Sequence, residues 1–265
     1  MIDLETGLNE EFNRIQYKGS VSSSPTEHIH PNDKNLGRAI ETAKEHLDRN
    51  EGLLVRPILG MVVGTGGLLS ICPELPIDVW LVYDNNSFVL DWVDKAKDAT
   101  RTAPKLGDYL RILYDENPQA NQGYAESGLR REMQSLGKYH LTTDEQRFQR
   151  VKQSAKGLSF VRCEGDLANP AFLRESGEIL RRRGLSISFV NLSNVYEHAP
   201  GVHESLPNLP FREGAVFVWS DRAWNNFLGT HVSVGLDKYL VGAKARYTGY
   251  KLEEEHQRMM QNRGR

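Results

Sequence analysis

Cysteine is scarce: the 265 residues contain only Cys72 and Cys163. Two cysteines make no disulfide framework and no metal-ligand spacing. Both lie in apolar stretches, which predicts reduced core thiols. Neither sign of charge dominates. Thirty-three Lys and Arg against 35 Asp and Glu leave a net charge of −2. Bulk electrostatics therefore suggest neither a nucleic-acid partner nor a membrane surface. The basic run Arg181-Arg182-Arg183 sits at a predicted helix end, where it complements the negative end of the dipole. No apolar window approaches the roughly 18 residues of a membrane-spanning helix. Met1 to Glu10 is acidic and lacks the apolar core of a secretion signal, so the expected compartment is the cytoplasm. No internal repeat is present. His28-Ile-His30 offers two imidazoles without a third ligand, and no metal site is expected.

What is present is a globular composition, 39% hydrophobic and 26% charged. The length suits one α/β domain with helical additions. Residues 1–52 read as a helical N-terminal extension. A short helix within 1–18 carries Leu4, Leu8, Phe12 and Ile15. After a loop over 19–32, a helix over 34–50 buries Leu36, Ile40, Ala43 and Leu47, with Asn32 or Asp33 as its cap. Residues 53–250 form the main domain, and 251–265 a charged tail.

Within the main domain, apolar strands alternate with helices. The first strand, from Ile58, runs into Gly64-Thr65-Gly66-Gly67. The second, over 78–83, leads into Asp84. Ser87 is the expected cap of a helix to Ala99 that buries Phe88, Val89, Trp92 and Val93. A segment over 101–156 is too long for an ordinary crossover. Its helical patterns at 105–115, 124–138 and 143–156 predict an insertion at the sheet edge. Its Tyr109, Tyr114, Tyr124 and Tyr139 would suit a cap that excludes water from a site. Strand three is Leu158–Cys163. Pro170 opens a helix that Gly184 ends. Strands four and five are Leu185–Asn191 and Ala215–Trp219. This alternation predicts a mostly parallel sheet covered on both faces, with ligands at the carboxyl ends of its strands.

The glycine turn and Asp84 carry the most information. Glycines let a backbone come close to a ligand and take positive φ. Amides beyond the turn point at the strand's carboxyl end. Asp84 stands 84 − 64 = 20 residues past the first turn glycine. A carboxylate on the neighbouring strand can accept hydrogen bonds from both hydroxyls of a ribose. Each later strand also ends in polar residues: Glu164-Gly165-Asp166 after strand three, Asn191 through Ser193, Asn194, Tyr196, Glu197 and His198 after strand four, and Ser220-Asp221-Arg222 after strand five.

This order resembles the class I S-adenosylmethionine-dependent methyltransferase superfamily over residues 53–222. The resemblance implies an α/β fold with a Rossmann-like, mostly parallel, doubly wound sheet. It implies S-adenosylmethionine as cofactor and a small-molecule acceptor. Gly64, Thr65, Gly66 and Gly67 would hold the methionine part. Asp84 with Asn85 would bind ribose, and Asp166 the adenine amino group. Asn191, Ser193 and Asn194 would face the sulfonium and the acceptor. Two positions depart from the pattern. Val62 stands where the family commonly has an acid, and Leu68 where the last glycine falls.

A sulfonium is already activated, so catalysis is mostly alignment of nucleophile and carbon. Asn191, Ser193, Tyr196 and His198 are the expected catalytic residues. Glu197 and Asp221 are further candidates for a general base, and Trp224-Asn225-Asn226 would line the acceptor side. Three rivals stand beside methyl transfer. Transfer or cyclisation of the aminocarboxypropyl arm would release methylthioadenosine. A nicotinamide dehydrogenase would share the glycine turn and the acid, but Leu69 replaces the third glycine. A non-catalytic nucleoside-binding module would keep the pocket alone. The sequence leaves assembly, a homodimer included, open.

Overall fold

In a strand buried on both faces, alternate side chains must each find an apolar layer. The strands here meet that demand. Leu59, Met61, Val79, Leu81, Tyr83, Val161, Cys163, Val190, Phe217 and Trp219 face one core. Val62, Trp80, Val82, Phe160, Phe189, Val216 and Val218 face the other. The computed structural model describes residues 2–21, 35–50, 54–65, 67–115, 124–192, 195, 201–223 and 226–245.

The strands are β1 (Leu59–Val63), β2 (Val79–Asp84), β3 (Ser159–Glu164), β4 (Ile187–Leu192), β5 (Phe211–Ala223) and β6 (Asn226–Val234). They form one six-stranded sheet in the order β3-β2-β1-β4-β5-β6. Every pairing is parallel except β5 with β6. The protein is thus α/β with a mostly parallel sheet, compatible with a Rossmann-like arrangement. The strand order reverses at β1, where β2 lies on one side and β4 on the other. Such a switch point opens a crevice at the strands' carboxyl ends.

Helices cover both faces. On the first core lie α1 (Ile2–Asn13), α8 (Pro170–Arg182) and a helix over 236–245 that buries Tyr239 and Ala243. On the second lie α2 (Leu36–Arg49), α3 (Leu68–Ile71), α4 (Ser87–Thr102), α5 (Leu106–Leu110), α6 (Tyr124–Leu136) and α7 (Glu145–Ala155). The inner face expected of α2 is buried as read. Pro170 opens α8, and Gly184 follows its end at φ 66°. Cys72 and Cys163 are buried free thiols, and burial pushes Cys72 up to about 12. Among the described residues, no helix is long and apolar enough to cross a membrane.

Several boundaries differ from the sequence reading. Asn86, not Ser87, caps α4: its side chain accepts from the Phe88 amide at 3.0 Å. The residue before α2 is Asn35, in a left-handed conformation with no side-chain cap bond. Asn32 and Asp33 lie outside the described residues. β5 is far longer than the run Ala215–Trp219, and β6 was not foreseen. Polar Ser220 and Asp221 read as an exit from the core, yet they pair with Thr230 and Gly229 in a hairpin. An antiparallel edge ribbon is not buried on both sides and tolerates such residues. The insertion does not decorate the sheet edge. It packs on a sheet face, where Leu113, Leu136, Phe148 and Val151 join the second core. The sheet edge at β3 is met instead by α1, whose Asn9 side chain accepts from the Arg162 amide at 2.9 Å. The tail over 251–265 lies outside the described residues.

Candidate functional site at the strand ends

β1 leaves the sheet at Val63, and Gly64 turns the chain at φ 62°. The Gly64 amide donates to the Tyr83 carbonyl at 2.8 Å, which fastens the turn to β2 one residue before Asp84. A Cβ on Gly64 would lie 3.3 Å from Asp84 Oδ2. The missing side chain thus leaves room for the carboxylate beside bare backbone. Gly67 is also left-handed, at φ 65°, and begins α3. Gly66 lies outside the described residues. α3 has only four residues, and its Leu68 and Ser70 amides already donate to Thr65 and Gly67 carbonyls. The amides expected to point at a ligand are therefore largely committed to the turn itself.

Asp84 closes β2 opposite Glu164 of β3. Burial pushes its carboxyl up to about 6, against the opposing pull of the Asn86 and Asn85 amides. The Asn86 amide reaches Oδ1 at 2.7 Å. A largely buried carboxylate with two backbone donors can still accept further bonds, since it offers about four lone-pair sites. Asn85 is exposed beside it.

Asp166 is brought next to this pair, because the Gly165 amide donates to the Asp84 carbonyl at 2.9 Å. Its Oδ1 accepts from the Ala168 amide at 2.8 Å. Its own amide donates to the Lys18 carbonyl at 2.7 Å. Gly19, at φ 76°, packs on the Asp166 side chain: a Cβ there would lie 2.8 Å from Asp166 Cβ. Asn169 Nδ2 donates to the Tyr17 carbonyl at 3.2 Å, and Lys18 Nζ lies 3.7 Å from Glu164. The N-terminal extension thus lies over the carboxyl end of β3. The sequence pattern of residues 17–19 predicts only the end of a helix and the start of a loop. A lone Lys-Gly pair gives no local sign of a contact with residue 166.

Asn191 is fully buried inside β4, level with Val62 and Val218. The strand continues through Leu192, so Asn191 belongs to the sheet and not to the turn after it. Ser193, Asn194, Tyr196, Glu197 and His198 lie outside the described residues, as do Trp224 and Asn225. Asp221 sits within the β5–β6 hairpin, opposite Gly229, rather than after the last strand. Val62, at the position of the missing acid, is a buried core residue.

The insertion meets the other side of the glycine turn. A Cβ on Gly67 would lie 2.8 Å from Leu136 of α6. The Leu141 amide donates to Ser70 Oγ at 3.0 Å. Arg147 of α7 bonds Glu74 and the Ser70 and Tyr139 carbonyls, which clamps the insertion to α3. Lys138 pairs with Glu41 of α2 at 3.0 Å. Of the insertion's tyrosines, Tyr109 is a core residue tilted against Phe148, and Tyr114 lies against Trp92 at 5.8 Å. Tyr139 donates to Glu41 at 3.2 Å, away from the turn. The side chain of Tyr124 lies outside the described residues. Two residues passed over in the sequence, Glu132 and His140, are buried in the insertion beside the turn. Glu132 follows Leu129 by three positions and precedes Leu136 by four, an acid on the inner face of a helix.

Among the described residues no group of three or more His, Cys, Asp or Glu side chains could hold a metal ion. His28 and His30 lie outside them. No family model matches the chain, and a search of curated proteins gives no match.

Proposed function

We propose that the protein is an S-adenosylmethionine-dependent transferase acting on a small-molecule acceptor, with methyl transfer the first reading. One observation carries it. The bare Gly64 backbone and the largely buried Asp84 carboxylate meet at the ends of adjacent parallel strands, beside the switch point of the sheet. That juxtaposition suits a nucleoside, whose ribose hydroxyls are donors for a carboxylate and whose edge can approach only side-chain-free backbone. Asp166, one strand further out, is on the adenine side of such a ligand.

The cofactor, when bound, supplies an electrophilic carbon on an activated sulfonium. The protein's task is then to bind and align. Asp84 and Asn85 take the ribose, and Gly64 with Thr65, Gly66 and Gly67 the methionine side. Asn191, near the end of β4, with Ser193 and Asn194 beyond it in the chain, are the candidates to face the sulfonium and the acceptor. Tyr196 and His198 are the candidates to take a proton from an amine or hydroxyl acceptor.

A second reading is favoured by a specific feature. Val62 is buried in the core and Leu136 lies on Gly67, so the methionine side is built from other groups than the family pattern uses. A differently held arm suits transfer or cyclisation of the aminocarboxypropyl group. Incubation with S-adenosylmethionine followed by mass spectrometry separates the readings. Adenosylhomocysteine marks methyl transfer, and methylthioadenosine marks arm chemistry. Neither product, across a panel of amine, hydroxyl and thiol acceptors, would count against both.

A further inference from the structure

Behind the glycine turn, α3, α4 and the inserted helices line a partly open pocket of about 50 Å³. At roughly 10–15 Å³ for each water-sized position, it has room for about three to five such groups. A nucleoside does not fit; a head group on a short stem does. Thr65, Trp92, Tyr109, Tyr114, Glu132 and His140 line it.

His140 is 1% exposed. Its Nδ1 accepts from the Thr142 amide at 3.2 Å and lies 2.8 Å from the Thr142 hydroxyl. That bond puts the proton of the neutral ring on Nε2. Nε2 lies 3.5 Å from Glu132 Oε1 and makes no hydrogen bond within the protein. The buried Thr65 hydroxyl makes none either. Both belong to side chains that line the same cavity; the Nε2–H lies beside the Glu132 carboxylate, so the group left for a ligand to meet is the Thr65 hydroxyl, and a buried polar group without a partner costs about 1–3 kcal/mol. Natural proteins meet that cost with a water or a ligand.

The lining selects the ligand's chemistry. Glu132 repels an anion. Its carboxylate and the Thr65 hydroxyl accept hydrogen bonds, and the Trp92 and Tyr114 rings supply π faces that attract a cation. An ammonium carries three donors and no acceptor. We propose that this cavity binds a primary ammonium group on a short stem, held by Glu132 and Thr65 against Trp92 and Tyr114, with the His140 Nε2–H steering the carboxylate. Such a group has two sources: the amino end of the cofactor's methionine arm, or a separate small amine. The first rests on the transferase reading above; the second stands without it.

The probe is propylammonium chloride, with sodium propionate and sodium chloride as controls. The signals are the ¹⁵N resonances of the His140 ring and the Trp92 indole in the full-length protein. Saturable shifts with propylammonium alone, weakened at least tenfold in both Glu132→Gln and Thr65→Val, are expected. The wild-type titration stands even where a variant fails to fold. The proposal is overturned by no saturable shift in the wild type, by equal shifts with propionate, or by unchanged binding in folded variants. Competition then assigns the source. Displacement by adenosylhomocysteine but not by methylthioadenosine supports the cofactor arm. Binding of both nucleosides without displacement supports a separate small amine. Propylammonium binding where neither nucleoside binds supports the cavity and overturns the transferase reading.

Discussion

The rim at the ends of β1, β2 and β3 and the cavity behind the glycine turn hold their polar groups by different means. On the rim, Gly64, Asp84 and Asp166 are fixed by backbone hydrogen bonds between neighbouring strands and to Lys18. Behind the turn, Glu132 and His140 come from inserted helices clamped by Leu136 and Arg147. The rim is set by sheet topology, which a change in one side chain does not move. The cavity depends on one segment staying docked. Losses on the rim should therefore appear as lost binding, and losses around the cavity as lost stability first.

The largest expected effect breaks the docked side. Leu136→Ala should cost about 2–5 kcal/mol, because a side chain 1% exposed is deleted where the insertion meets Gly67. Urea denaturation measures it. The midpoint should fall, and an unchanged midpoint would mean the insertion is held elsewhere.

Next, Asp84→Asn should separate stability from binding on the rim. Burial lifts this carboxyl from 3.8 to about 6. The folded protein therefore keeps a proton that the unfolded chain releases between those values. The contribution of Asp84 to stability falls as pH rises from about 3.8 through about 6, and stays low above. An amide avoids that loss, so the variant should be about 1–3 kcal/mol more stable than the wild type at pH 7. The gain should vanish near pH 3.5. Thermal melts at the two pH values test the sign; a variant less stable at pH 7 would contradict it. Ligand affinity in the wild type should run the other way. It should fall about tenfold from pH 7 to pH 5, as the acceptor becomes protonated.

How much of this was legible depends on the range of the signal. Strands one to four, α2 and α8 carried local marks: apolar runs, helical spacing, Pro170 and Gly184. The Gly64–Asp84 spacing was equally local, and the two groups do meet. β6 was not, because its half-exposed alternation of His231, Val232, Ser233 and Val234 makes sense only beside β5. Asn86 displaced Ser87 as a cap by one residue, a choice that backbone geometry makes. Glu132 was visible as an acid on an apolar helix face, but only the packing of α6 onto Gly67 shows what that face looks at. His140 gave no sign at all.

The smallest effect sharpens how Lys18 acts on the rim. Its ammonium lies 3.7 Å from Glu164, while its carbonyl receives the Asp166 amide at 2.7 Å. Lys18→Ala keeps the backbone bond and removes only a partly exposed ion pair, so stability should change by less than about 1 kcal/mol. A larger loss in denaturant melts would show that the side chain, not the main chain, holds the extension in place.

The β1–β2–β3 rim, as proposed, is a nucleoside site read by Asp84. Isothermal titration of adenosylhomocysteine into wild-type protein and Asp84→Ala at pH 7 tests it most directly. The expected result is saturable binding to the wild type and a loss of about 1–3 kcal/mol in the variant, from the removed charge-assisted bonds. No heat with folded wild-type protein, or equal binding in the two, would contradict it.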